Sequence, residues 1–117
     1  MRCLQPIIIF FCALSLCIGR DDVNQTLESS FKRADANLNI AYKKVCQLLD
    51  GTELESMKKA QRSWLGYCEA EALMLAGVTS EGGSSYSNDF VYEKTRLLEV
   101  RAAQLLQLEQ RLRTLRK

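Results

Sequence analysis

The chain of 117 residues contains no histidine. That absence removes Ser-His and Cys-His nucleophile pairs, histidine general bases and most zinc sites, because imidazole is the side chain that exchanges protons most readily near neutral pH. A strong charge of one sign is missing too. Sixteen basic residues stand against fourteen acidic ones, a formal charge of +2, which argues against a dedicated nucleic-acid binder. The longest apolar stretch, Ile7 to Ile18, has twelve residues and is interrupted by Ser15. A membrane-spanning helix needs about 20. No paired acid and base can be found. Glu53 with Glu55, and Glu69 with Glu71, are two apart and diverge on a helix. Gly82-Gly83 is followed by Ser-Ser-Tyr rather than by a phosphate-binding lysine. Cys68 beside Glu69 has no activating base. These gaps exclude the common enzyme classes and predict no catalytic residue, no metal and no cofactor. The length allows one small domain. A small binding or structural protein is the class that remains.

What is present begins with an export signal. Met1-Arg2 supplies a positive start, and the run Ile7–Ile18 has the length of a signal-peptide hydrophobic region. Cys17-Ile18-Gly19 places small residues at both recognition positions, so cleavage is expected before Arg20, with cleavage after Ser15, where Ala13 lies upstream, the weaker option. This divides the chain into a secretory signal peptide, residues 1–19, and one helical domain, residues 20–117. Lipidation at Cys17 is the less favoured alternative, since the bulky Leu16 directly before it is wrong for that processing. Cleavage takes Cys3, Cys12 and Cys17 away and leaves Cys46 and Cys68 in an exported, periplasmic or secreted protein.

Beyond the signal the pattern is helical. Leu27, Phe31, Ala34, Leu38, Tyr42, Val45 and Leu49 recur at steps of three and four, one stripe of a helix. Asp50-Gly51 closes it, with the glycine free to turn left-handed. Thr52-Glu53-Leu54-Glu55 has the form of a capping box and opens a second helix, which is expected to stop near Gly77. Residues Gly77 to Asn88 have loop composition. A third helix, from about Asn88 or Asp89, carries Val91, Thr95, Leu98, Ala102, Leu105, Leu108, Leu112 and Leu115. The fold expected is an all-α antiparallel three-helix bundle, a helical hairpin plus a long C-terminal helix. In the hairpin, facing residues sum to about 102, so Leu38 is placed level with Trp64 and Tyr42 level with Ala60. The same register offsets Cys46 and Cys68 by about 18 Å along the axis. A disulfide needs Cα atoms within about 7 Å, so two unpaired thiols are expected within the monomer, with pairing between molecules left open.

The motifs in this frame resemble a known family. Leu38-Asn39-Ile40-Ala41-Tyr42 is similar to its L-N-x-x-Y signature, and Lys58-Lys59-Ala60-Gln61-Arg62-Ser63-Trp64 to its K-x-A-Q-R-x-W motif. Glu81-Gly82-Gly83-Ser84 and Arg101-Ala102 resemble its E-G-G-S and R-A elements. In order and spacing the stretch from Ala34 to Leu105 resembles the bacterial LprI-type lysozyme-inhibitor N-terminal domain. The resemblance implies a small, exported, helical binding protein that inhibits lysozyme-type muramidases by blocking the cleft. The chain departs from the pattern W-x-x-F-R-D-x-x-C. Cys68 stands where the family has arginine, and Ala72 where it has cysteine. Glu93 stands where a second family cysteine is expected. The disulfide that the resemblance implies between the second and third helices is therefore missing as a unit.

Two surfaces compete for the binding role. The loop has glycines that let backbone approach a partner, and Ser84, Ser85 and Tyr86 add adaptable hydrogen bonds and an aromatic anchor. Glu81, Gly82, Gly83, Ser84, Ser85 and Tyr86 are the expected contact for a muramidase. Leu38, Tyr42, Ala60 and Trp64 are expected in the core, with Asn39 and Gln61 hydrogen-bonding near the hairpin seam. Arg62 and Arg101 belong to the motifs. The alternative function is a non-enzymatic envelope adaptor that binds a protein partner or an anionic surface through the basic third helix. Residues 94–117 hold seven basic and two acidic residues, whereas residues 20–93 hold eight basic and twelve acidic ones.

Overall fold

A computed structural model describes residues 20–117. The expected leader, its cleavage position and Cys17 lie outside the described residues. The described residues form three helices and no strand: α1 (Arg20–Cys46), α2 (Gly51–Ser80) and α3 (Tyr86–Leu115). The all-α bundle expected from the periodicity is the architecture the chain adopts.

The buried positions follow the helical step. Ala34, Leu38, Ala41 and Val45 are buried on α1, and Thr95, Leu98, Ala102 and Leu105 on α3. Helix α2 contributes Met57, Gln61, Cys68, Ala72 and Ala76. Many of these are alanines, which let helices approach closely but bury little area each. The largest fully buried side chains are Leu38, Leu105, Val45 and Cys68.

Helix α3 is the centre of the arrangement. It packs along both α1 and α2, while α1 and α2 approach each other loosely. Helices α1 and α3 run parallel, with Ala34, Ile40 and Ala41 sharing a groove with Glu99, Ala102 and Leu106. Helix α2 runs antiparallel to α3, as the pairs Glu69–Lys94 and Glu53–Arg116 require.

This corrects the hairpin seam. Leu38 and Tyr42 do border Lys58, Gln61 and Arg62 across a groove. Ala60, however, is exposed and faces Leu108 and Leu112 of α3. Trp64 is half-buried and turned toward α3. The seam between α1 and α2 offers little apolar area, whereas the leucines of α3 offer more, so burial draws both helices onto α3.

The boundaries shift as well. Helix α1 ends at Cys46, and Leu48 and Leu49 donate their amides to Val45 and Cys46 in a short tightened turn. Leu49 still packs on the core from outside the helix. Gly51 has the expected positive φ of 53°. The capping box does not form: Glu55 pairs with Lys58 at 3.2 Å, and Asp50 holds the cap position without a side-chain bond. Helix α2 continues past Gly77 to Ser80. Ala76 is fully buried there, and Thr79 Oγ1 donates to the Leu75 carbonyl at 3.0 Å, so packing carries the helix through the glycine. Both Cys46 and Cys68 are free thiols, as the offset predicts.

Candidate binding surface

The connection between α2 and α3 is five residues, 81–85, rather than the twelve expected from composition. It is a built chain reversal. Glu81 sits in the left-handed region at φ 50°, followed by Gly82 at φ 75°. A Cβ on Gly83 would lie 2.9 Å from the Ser80 carbonyl oxygen. The Gly83 amide donates to that oxygen at 2.8 Å, and the Tyr86 amide donates to the Gly83 carbonyl at 3.3 Å. The hydroxyl of Ser85 donates to the Asp89 carboxylate at 3.0 Å, and the Thr79 hydroxyl oxygen lies 3.3 Å from the same carboxylate. The E-G-G-S element therefore has a structural cause: one glycine supplies a positive φ and the next supplies missing volume. Glu81, Ser84, Ser85 and Tyr86 stay on the surface around it.

A pair of substitutions separates these roles. Gly83→Ala is expected to destabilise the protein by about 2 kcal/mol, since the added carbon meets backbone that cannot swing away. Glu81→Gly removes a left-handed penalty of about 1 kcal/mol and is expected to be neutral or stabilising. Urea denaturation of both variants checks the contrast, and equal effects would contradict it.

The fold also redistributes charge. Residues 43–62 and 105–117 meet at one end of the bundle and hold nine basic and four acidic side chains. Residues 22–42 and 63–104 form the end that carries the turn and hold nine acidic and five basic ones. The lysines near the α1–α2 link thus join the basic end of α3. The turn sits at an acidic pole and the leucine-rich end of α3 at a basic one.

Between the poles the motif residues divide. Gln61, Trp64 and Arg101 come together. Arg101 Nε donates to Gln61 Oε1 at 3.1 Å, and its guanidinium lies 5.6 Å from the centre of the Trp64 ring. Burial pulls the Arg101 pKa below its ordinary value. Gln61 is only 7% exposed, and Arg101 is the partner its amide oxygen requires. This replaces the expected bond across the α1–α2 seam. Asn39 is exposed and reaches Asp35 on its own helix at 3.5 Å. Arg62 is exposed on the rim of the groove that also borders Leu38 and Tyr42. Burial, then a hydrogen bond with Cys46, raises the Tyr42 pKa. Cys68 is raised first by burial and is packed as a small apolar group, not poised as a nucleophile.

One cluster escaped sequence reasoning. Lys94 Nζ lies 2.6 Å from Glu69 Oε2, with the rings of Phe31 and Phe90 at 5.8 and 5.5 Å. One ammonium thereby ties all three helices near the acidic pole. Phe31 and Lys94 are far apart in sequence, so only the parallel pairing of α1 and α3 reveals the contact. Among the described residues no group of three or more Cys, Asp or Glu is placed to hold a metal.

Comparison with known proteins adds identity to this geometry. The sequence profile of the family described as "Lysozyme inhibitor LprI" matches residues 18–111. An uncharacterised protein of Rhizobium meliloti (strain 1021) is 32% identical over an alignment that covers 57% of each chain. The chain thus spans little more than half the length of that relative. No solved structure matches it.

Proposed function

The chain belongs to the LprI lysozyme-inhibitor family, and from that premise we propose that it is an exported, non-enzymatic protein that binds a lysozyme-type muramidase and blocks its cleft sterically. The observation that carries this reading is the extent of the family match, which runs through all three helices nearly to their end. The sequence start, with its short apolar run and small residues before Arg20, supports export. No helix among the described residues is long and apolar enough to cross a membrane.

The contact we assign is the tip formed by Glu81 to Tyr86. Two helices joined by five residues close on a turn with a fixed backbone, so little ordering entropy is lost when it enters a concave site. The acidic pole behind it attracts a basic target and speeds encounter. Tyr86, 36% exposed, is the large apolar group at the tip.

A dose-dependent muramidase assay with the purified protein tests the reading. Inhibition is expected against a host-type or a bacterial enzyme, and failure against both would sink it. Combined Glu81→Ala and Tyr86→Ala is expected to weaken inhibition at least about tenfold, the loss of one good anchor contact. Unchanged potency, with an unchanged melting temperature, would move the contact elsewhere on the bundle.

A further inference from the structure

The pole opposite the turn is unoccupied by that function, and it combines two features. The first is apolar. A groove of about 640 Å³ runs between the start of α2 and the end of α3, floored by Leu49, Met57, Ala60, Leu108 and Leu112. Leu115 stands at its lip, 78% exposed, more than any other large apolar side chain among the described residues. A second hollow opens on the other side of Leu115, bordered by Gln107, Gln110 and Arg111. An exposed leucine between two hollows is not spent on the core.

The second feature is charge. Nine basic side chains surround this end against four acidic ones. The helix dipole accounts for cations in a last turn, such as Arg113 on α3 or Lys43 and Lys44 on α1. It does not account for Lys59 and Arg62, which lie beyond the first turn of α2 and out of the dipole's reach, while Lys58 beside them pairs with Glu55. Three of the four acids are already answered, Glu55 by Lys58, Glu109 by Arg113 and Glu53 by Arg116. Arg111, Lys117, Lys43 and Lys44 have no carboxylate within 4 Å among the described residues, and their charge faces outward.

We propose that this basic pole docks on an anionic lipid bilayer, with Leu115 entering the interface between the headgroups. The match is one of charge and depth. Each Lys or Arg near an anionic surface contributes about 1 kcal/mol, and a single leucine adds its own burial. Neither a neutral surface nor an acid-free one uses both features. Docking also sets a direction. The chain is a charge dipole, so the acidic pole is repelled from the same surface. The turn at residues 81–85 is then held outward by the length of α3, about 45 Å. An inhibitor resting this way presents its tip to the solvent from which a muramidase arrives. The docking stands without the inhibitor reading, since it needs only the opposite end of the molecule.

Flotation of the full chain with vesicles tests the proposal. Vesicles of phosphatidylcholine mixed with phosphatidylglycerol are expected to bind it, with affinity falling as salt rises, and phosphatidylcholine alone is not. Each neutralised residue among Lys43→Gln, Lys44→Gln, Arg111→Gln and Lys117→Gln is expected to weaken binding about fivefold. Leu115→Glu is expected to weaken it at least about tenfold. Lys32→Gln with Arg33→Gln, at the acidic end, is expected to change nothing. All these positions are exposed, and thermal unfolding checks that each variant is folded. No binding to the anionic vesicles would overturn the proposal, as would binding indifferent to lipid charge or equal loss from the Lys32 and Arg33 pair. Dimerisation abolished by Leu115→Glu, without vesicle binding, would reassign the groove to a second copy. Muramidase inhibition measured without vesicles is expected to be the same for all these variants, so the two readings fail separately.

Discussion

The double variant Ala72→Cys with Glu93→Cys is expected to close a disulfide between α2 and α3 and raise stability by about 3 kcal/mol. The antiparallel register places these positions opposite each other. Glu69 meets Lys94, Gln61 meets Arg101 and Thr79 meets Asp89, so numbers on the two helices sum to values in the 160s, as 72 and 93 do. Both positions face the contact. Ala72 is fully buried, and the Glu93 side chain is 13% exposed and pairs with Arg96. The resemblance to the family places its two cysteines at these residues. The bond would remove freedom from an unfolded loop of about 20 residues, which sets the magnitude. Loss of the Glu93–Arg96 pair subtracts little, because a pair within one helix at that spacing, with its arginine exposed, contributes about 0.5 kcal/mol or less. Non-reducing peptide mapping identifies the bond, and urea denaturation with and without reductant measures the gain. A bond to Cys68 instead, or no gain in the oxidised form, would refute the register.

Leu105→Ala carries the largest expected loss, about 3 kcal/mol or more, equivalent to a fall of about 15 °C in melting temperature. The reason lies in how little else is large and buried. Five of the buried hydrophobic positions are alanines, and Leu105 is one of the few fully buried large side chains. It also lies on α3, the helix that both others share, so truncation opens a cavity where neither α1 nor α2 can close onto the gap alone. Leu106→Ala is the control. That leucine is 42% exposed, and its loss is expected to cost under about 1 kcal/mol. Equal effects at 105 and 106 would mean that the buried face of α3 is misassigned.

The helices and their faces were legible in the sequence because a period of 3.6 survives in Ala34, Leu38 and Val45, and in Leu98, Ala102 and Leu105. Helix order alone left the neighbours undetermined. A short link suggests that consecutive helices pack on each other, yet α1 and α2 share only a loose groove, because the apolar area that rewards packing sits on α3. Once α3 is between them, the fates of Ala60, Gln61 and Trp64 follow, and so does the cluster around Lys94. The turn misled for another reason. Glycine and serine mark both flexible segments and tight reversals, and composition does not separate the two. Only the sum of a positive φ at Gly82 and a close carbonyl at Gly83 does so. Nor does a capping-box pattern guarantee its bond, since the exposed Glu55 found Lys58 within its own helix.

The central position of α3 also fixes an order of assembly. Helices α2 and α3 are joined by a tight turn and can zip from it, each new pair lying close to the last. Helix α1 has its main partner far downstream, since Ala34 and Ala41 settle against Ala102 and its neighbours only after all of α2 has been made and reversed. That is a parallel pairing at long sequence separation, and closing it is the step expected to limit the speed of folding. Under the export proposed above, a chain threaded N-terminus first emerges with α1 leading and unpartnered. Its buried stripe then stays wet until the last helix is through, and late docking of the first helix is the expected slow event.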